Sequence, residues 1–361
     1  MRSSSKFHEL RMNWRRRLGY AGLLVLALLG IGQVGGCYYL QAVSGQMELM
    51  GRREPIERVI ASESTPEALA ARLTLVTEAR EFAVADLLLP DNDSYRSFAD
   101  LEREYVVWNV FAAPEFSLDA RTWCFPVVGC VAYRGYFSED AARSYAERLH
   151  ADGYDVHVGG VSAYSTLGRF ADPVLNTMLR WSDLDLVAVM FHELAHQRLF
   201  VKGDTAFNES FATAVAEIGL ARWVEQHGGA DDLDGYQARS LLREELMTLV
   251  GSGRQELAAI YASEAGEDEK RRQKARVLES LAEEAAAIAA RRGMPAANFL
   301  QGNLNNARLV SLGLYHGHVD AFREIYSACE SRLECFYATA ESIAALPGDR
   351  RAAELADVGS R

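Results

Sequence analysis

The string His192-Glu193-Leu194-Ala195-His196 sets two imidazoles and a carboxylate within five residues. Residues four apart share one face of an α-helix, so both rings can reach a single Zn²⁺ at about 2.0–2.1 Å from a nitrogen of each. Glu193 stands beside them, placed to take a proton from a water on that ion. A second string, Asn208-Glu209-Ser210-Phe211-Ala212-Thr213, follows a break at Lys202-Gly203. His196 lies about six residues before that break and Glu209 about five after it. At ~1.5 Å rise per residue, the two reach similar depth in an antiparallel helical hairpin. Glu209 is therefore the expected third ligand. Two His and one Glu leave a fourth position open to water, the composition of a catalytic zinc site rather than a structural one.

Such a site needs helices to hold it. Ser182 with Asp185 three residues on reads as a helix start, residues 184–200 supply an apolar run, and Lys202-Gly203 supplies the stop. Asp204 or Thr205 can cap the helix that carries Glu209. Upstream, Thr65 as N-cap and Pro66 at the first helical position open a helix expected to run to Leu89. The β-branched and aromatic runs 105–110, 127–136, 154–158 and 161–167 read as strands, with a helix near 138–152 among them. From Pro173 the pattern is helical almost to the end, and 254–292, rich in Ala, Glu, Lys and Arg, reads as a solvated surface helix or hairpin. Sheet first and helices second predicts an α+β fold, a small N-terminal mixed sheet followed by a mainly helical region. The expected organisation is a leader over 1–36, a polar tether over 38–61, and a single domain over 62–361, sheet-rich to 170 and helical from 171.

The two strings resemble the HELAHQ and NEGFAT motifs of zinc aminopeptidases related to aminopeptidase N, in the gluzincin clan. More broadly the chain is similar to a bacterial family of zinc aminopeptidase lipoproteins. That likeness runs through Trp123-Cys124-Phe125-Pro126-Val127-Val128-Gly129-Cys130, the His192 helix and Asn305-Asn306-Ala307-Arg308-Leu309. It implies a zincin-like catalytic region and hydrolysis of peptides from their free amino end with one zinc ion. The chain departs from the aminopeptidase N relatives in its shorter gap, twelve residues between His196 and Glu209, so an intervening helix is missing or shortened. In gluzincins a Tyr or His from a later helix steadies the oxyanion. The resemblance points to Tyr315, in Tyr315-His316-Gly317-His318, with packing or capping as the plain alternative. Residues 163–167 can act as an edge strand for an extended peptide, Asp172 is a candidate anchor for the substrate amine, and Glu217 can support Glu209 from behind.

The N-terminus carries Arg2, Lys6, Arg11, Arg15, Arg16 and Arg17 and then an apolar stretch over 18–34, the order of a secretory signal. It ends in Val34-Gly35-Gly36-Cys37, which resembles a bacterial lipobox, so Cys37 is expected to become the lipid-bearing first residue. The alternative is an uncleaved anchor, for which seventeen residues is short. The protein is expected in the cell envelope, facing the periplasm, with Tyr38 after the cysteine favouring the outer membrane by resemblance to known sorting patterns. Four more cysteines, Cys124, Cys130, Cys329 and Cys335, suggest two disulfides in an oxidising compartment. Each successive pair is six apart, which favours local pairing over the other connectivities, with buried free thiols as the alternative.

Apolar residues form 49% of the 361-residue chain and charged ones 24%, which excludes a disordered or fibrous protein. A formal charge of -12 argues against nucleic-acid binding. Loss of residues 1–36, six of them basic and one Glu9, lowers the charge further, so any membrane attachment rests on lipid. The expected partners are peptides and a membrane. Oligomeric state is not legible. A zinc endopeptidase and a non-catalytic envelope lipoprotein with a structural zinc are the competing functions.

Overall fold

The computed structural model describes residues 36–125, 129–294, 304–313 and 318–359. Residues 1–35 of the leader expected over 1–36, and the residues Tyr315 and His316, lie outside these. The chain divides into two units, Met1–Gly51 and Arg52–Arg361. In the first, helix α1 (Gly36–Gly51) occupies much of the stretch expected to be a polar tether. Leu40, Ala42, Met47, Leu49 and Met50 favour helix, and Glu48 is its single charged residue. No described helix is long and apolar enough to cross a membrane.

The second unit begins with a short strand β1 (Glu54–Pro55), helix α2 (Ile56–Ile60) and helix α3 (Glu67–Ala85). Pro66, not Thr65, stands at the N-cap of α3, because the Thr65 hydroxyl donates instead to the carbonyl of Val59 at 2.6 Å. That helix ends four residues before Leu89, ahead of Leu88, whose φ of 55° cannot continue it.

Among the described residues, strand content is divided among three small sheets rather than gathered in one. Strand β2 (Ser97–Ala99) pairs antiparallel with β1 and parallel with β8 (Val174–Leu175). Strand β3 (Val107–Pro114), buried along all but its last residue, lies between β6 (Arg134–Tyr136) and β7 (Tyr154–Val161). The β3–β7 register runs antiparallel from Val107 opposite Val161 to Pro114 opposite Tyr154. Strands β4 (Trp123–Phe125) and β5 (Gly129–Val131) form a hairpin with Cys124 opposite Cys130, and those two residues are disulfide-bonded. Helix α4 (Glu139–Ala151) starts at Ser138, whose hydroxyl accepts from Ala141 N.

The strand expected over 161–167 is not there. Strand β7 ends at Val161, and the chain then loops around the buried Asp172, whose carboxylate accepts from Thr166 N at 2.8 Å and Thr166 Oγ1 at 2.7 Å. A carboxylate serving the backbone in this way competes with a sheet ladder, and Leu167 and Gly168, both at positive φ, reverse the chain.

Helices α5 (Asp183–Arg198) and α6 (Thr205–His227) pack side by side. Both are apolar on nearly every face because both lie in the core, where Phe191, Phe207 and Phe211 are fully buried. Gly219 permits their close approach: a Cβ there would sit 2.6 Å from Phe191 Cδ2. Helices α7 (Ala230–Ala262) and α8 (Glu267–Arg291) form a hairpin that starts well before the 254–292 stretch expected as a surface helix or hairpin. It has a core of its own, with Leu246, Val250 and Leu257 facing Val277 and Leu281, so it is more than a solvated surface. Helices α9 (Asn306–Gly313), α10 (Val319–Ala328), α11 (Leu333–Ala344) and α12 (Gly348–Val358) complete the helical half. A disulfide between Cys329 and Cys335 joins the end of α10 to α11. The molecule is thus α+β, sheets early and helices late.

Candidate active site

His192, Glu193 and His196 project from α5 and Glu209 from the first turn of α6. The start of α5 is held by Ser182, whose Oγ accepts from Asp185 N at 3.2 Å, and the start of α6 by Asp204, whose Oδ1 accepts from Phe207 N at 3.0 Å. Asn208 ties the connection down. Its Oδ1 accepts from Val201 N and its Nδ2 donates to Val201 O, so Glu209 emerges from a fixed point. Asn208 carries no ligand atom, and its spacing alone gave no sign of this role.

The two Nε2 atoms of His192 and His196 converge to 3.1 Å, and Glu209 places its Oε2 3.3 Å from the first and its Oε1 3.7 Å from the second. An ion with ligands at about 2.0–2.1 Å in tetrahedral array separates them by roughly 3.3 Å, so the two nitrogens and the Glu209 carboxylate fit a zinc ion. All three lie within 4.8 Å of one another, and this is the group of potential ligands found among the described residues. Two nitrogens and one oxygen leave one position free.

The protons on these groups follow from burial and charge. Burial, opposed by His192 and reinforced by Glu209 and Asp172, pushes the Glu193 carboxyl up to about 7. Burial together with His192 holds His196 down to about 4. For His192 burial works the other way, but the hydrogen bond and charge of Glu209 outweigh it and the net shift is upward. A metal ion takes imidazole nitrogens in their neutral form, so its binding would displace any proton held there. Tyr95 is buried at φ 63°, and burial followed by the charges of Glu193 and Asp172 raises its hydroxyl well above its usual range.

A cavity of about 720 Å³ opens beside His192 and Glu193. Its walls come from β3 and β7 through Phe111 and Gly160, from α6 through Thr213, from α7 through Tyr236 and from α9 through Arg308. Burial pushes the Tyr236 phenol up to about 12, so it is a proton donor at neutral pH. Arg308 lies in the Asn305–Leu309 stretch that the family resemblance singles out. Beside it Asn306, fully buried, donates to the carbonyls of Pro114, Glu115 and Ser117 and accepts from the Tyr261 hydroxyl at 2.7 Å. This fastens α9 to the end of β3 and to α7. No sequence signal announced Tyr236, which reaches the site only through packing.

The other expected residues fall in different places. His318 is half-buried at the start of α10, with its backbone N–H donating to Ser210 Oγ at 3.1 Å. Glu217 lines the cavity but is bound by Arg323, with two contacts of 2.9 Å, rather than supporting Glu209. Asp172 accepts from Thr166 and Ser165 and organises the 162–172 loop. The edge beside the cavity belongs to Gly159, Gly160 and Val161 of β7, not to 163–167.

No curated protein and no solved structure matches the chain. A family described as "Putative aminopeptidase" matches residues 37–355, which contain both motif helices, the cavity walls and all four disulfide cysteines. A match over that much of the chain, with the metal-ligand set inside it, places the protein in this aminopeptidase family.

Proposed function

We propose that the protein is a zinc-dependent aminopeptidase of the gluzincin type that acts on peptides in the bacterial cell envelope. The observation that carries this reading is the meeting of His192, His196 and Glu209 at tetrahedral spacing beside Glu193, on the wall of the cavity. Zinc, when bound, supplies Lewis acidity to the scissile carbonyl and to the attacking water. Glu193 takes the proton from that water and returns it to the leaving amine, and a carboxyl near 7 suits transfer in both directions at neutral pH. Tyr315 is the oxyanion donor suggested by resemblance, and Tyr236 is the phenol on the described cavity wall that can serve the same need. An extended substrate has a place along β7, which among the described strands pairs with β3 alone.

The envelope location rests on the basic and apolar leader and on Cys37 as the lipid-bearing residue. Helix α1, which follows, exposes Tyr39, Leu40, Val43 and Met47, an apolar set suited to a segment held at a bilayer surface.

One observation favours an endopeptidase instead. Asp185 and Glu217, the cavity carboxylates other than Glu193, are both paired with arginines, so neither is free to hold a substrate amine. Zinc analysis of the purified mature protein, with cleavage of the same peptides bearing free or acetylated N-termini, separates the readings. One zinc per chain and cleavage confined to free amino ends supports the aminopeptidase; equal cleavage of acetylated peptides supports the endopeptidase; zinc without turnover of any peptide rejects both.

A further inference from the structure

Strand β7 is paired with β3 along one side, and the register fixes which of its main-chain groups face the other. Successive residues of an antiparallel strand turn their N–H and C=O to opposite sides. Arg121 N donates to the Ala112 carbonyl at 2.8 Å, so Ala112 of β3 faces away from β7 and its neighbours Phe111 and Ala113 face toward it. In that register His157 and Gly159, opposite Phe111 and Asn109, bond to β3, whereas Val156, Val158 and Gly160 point outward. The Val156 carbonyl agrees, since it accepts from Asn305 Nδ2, outside the sheet, at 3.0 Å.

The open edge is closed at both ends. Asn305 takes the Val156 carbonyl on one side, and on the other the hydroxyl of buried Thr177 donates to the Ser162 carbonyl at 2.6 Å. Between them the outward groups of Val158 and Gly160 meet no partner among the described residues. Gly160 is exposed and lines the cavity together with His192 and Glu193. A Cβ on Gly159 would stand 3.3 Å from His157 Nε2 and 4.0 Å from the Phe111 ring, both on the cavity wall, so the strand is bare where it meets the cavity. Glycine inside a strand weakens it and often marks the close approach of another backbone.

We infer that residues 158–160 form a docking strip for the main chain of the substrate, that Asn305 is its stop, and that the substrates are short peptides recognised over about four residues. This rests on the peptidase reading above and specifies its substrate class. At ~3.3 Å per residue the strip spans roughly 7 Å, room for about three residues of a paired strand beyond the one removed at the metal. Main-chain pairing gives affinity without side-chain preference, so the strip selects for length rather than sequence.

Initial rates for alanine peptides of two to six residues with the zinc-loaded mature chain test this. The kcat/KM is expected to rise up to about four residues and then stay level. Asn305→Ser keeps an acceptor for Arg308 N, which Asn305 Oδ1 binds at 2.9 Å, but its side chain is one atom too short for the Val156 carbonyl. In that variant the five- and six-residue peptides should gain about 2- to 10-fold over the four-residue one, the worth of one main-chain hydrogen bond. General damage to the fold would lower the rates at every length alike. An unmoved plateau in a folded Asn305→Ser overturns Asn305 as the stop, and rates that climb through six residues in the unmutated protein overturn the strip. One N-methyl group stepped along hexaalanine, beyond the scissile nitrogen, gives a second measurement that needs no variant. Losses of similar size are expected only within the first four residues, and a loss at the fifth or sixth, or no loss anywhere, overturns the strip while leaving the peptidase reading in place. No cleavage of any peptide overturns both.

Discussion

Asn208 exchanges two hydrogen bonds with the backbone of Val201, receiving one from the amide at 2.7 Å and giving one to the carbonyl at 2.8 Å. Asn208 is 2% exposed, and removing its side chain takes these partners from the part-buried amide and carbonyl of Val201. Asn208→Ala should destabilise the protein by about 1–3 kcal/mol, and because the clamp sits one residue before Glu209, it should also weaken zinc binding. Chemical denaturation with and without zinc checks this; equal loss in both states would separate the clamp from the metal site.

Glu209 and Glu217 lie two turns apart on α6, yet one faces two imidazoles and the other Arg323. Competition with a chelator should show Glu209→Ala losing zinc far more readily than Glu217→Ala. A lost ligand loosens the site itself, whereas even a group that orients a ligand typically costs only 10- to 100-fold. Similar zinc retention in the two variants would move the third ligand elsewhere.

Glu193→Gln keeps the size of the side chain and leaves His192, His196 and Glu209 free to hold zinc, but an amide cannot accept the proton. Zinc content should stay at the unmutated level while turnover falls by the 10²- to 10⁴-fold typical of a lost general base. Full activity at full zinc occupancy would falsify the assignment of Glu193 as the base.

His157 gives the fold a pH dependence of known sign. Its folded value, about 4, lies below the ordinary histidine value of 6.5, so the unfolded chain binds a proton that the folded chain refuses between those limits. Stability is therefore unaffected above about pH 6.5 and falls as pH drops toward 4, with a slope of up to about 1.4 kcal/mol per pH unit from this group. In His157→Gln, urea unfolding measured from pH 7 to pH 4 should show a shallower decline than in the unmutated protein. An unchanged slope would mean that other groups carry the effect.

What the sequence determined by itself is whatever a single helix or turn decides. The four-residue spacing of His192 and His196 sets both rings on one face, and Ser182 and Asp204 start the two motif helices, because capping and helical periodicity are settled within a few residues. The six-residue spacing of the cysteines likewise made local pairing legible, and both bridges form. The strand expected over 161–167 gives way to a loop in which Asp172 binds the Thr166 amide and the Thr166 and Ser165 hydroxyls, a competitor that β-propensity does not see. The cavity was invisible for a broader reason. Arg308 meets His157 across 151 positions, and Tyr236 and Arg243 reach the same wall from a helix whose sequence carries no motif. Which side chains share a wall depends on how buried faces such as Gly219 against Phe191 and Asn306 against the end of β3 dock. That docking is decided by the packing of elements far apart in the chain, so only the tertiary structure sets the charge and shape that the zinc ligands look onto.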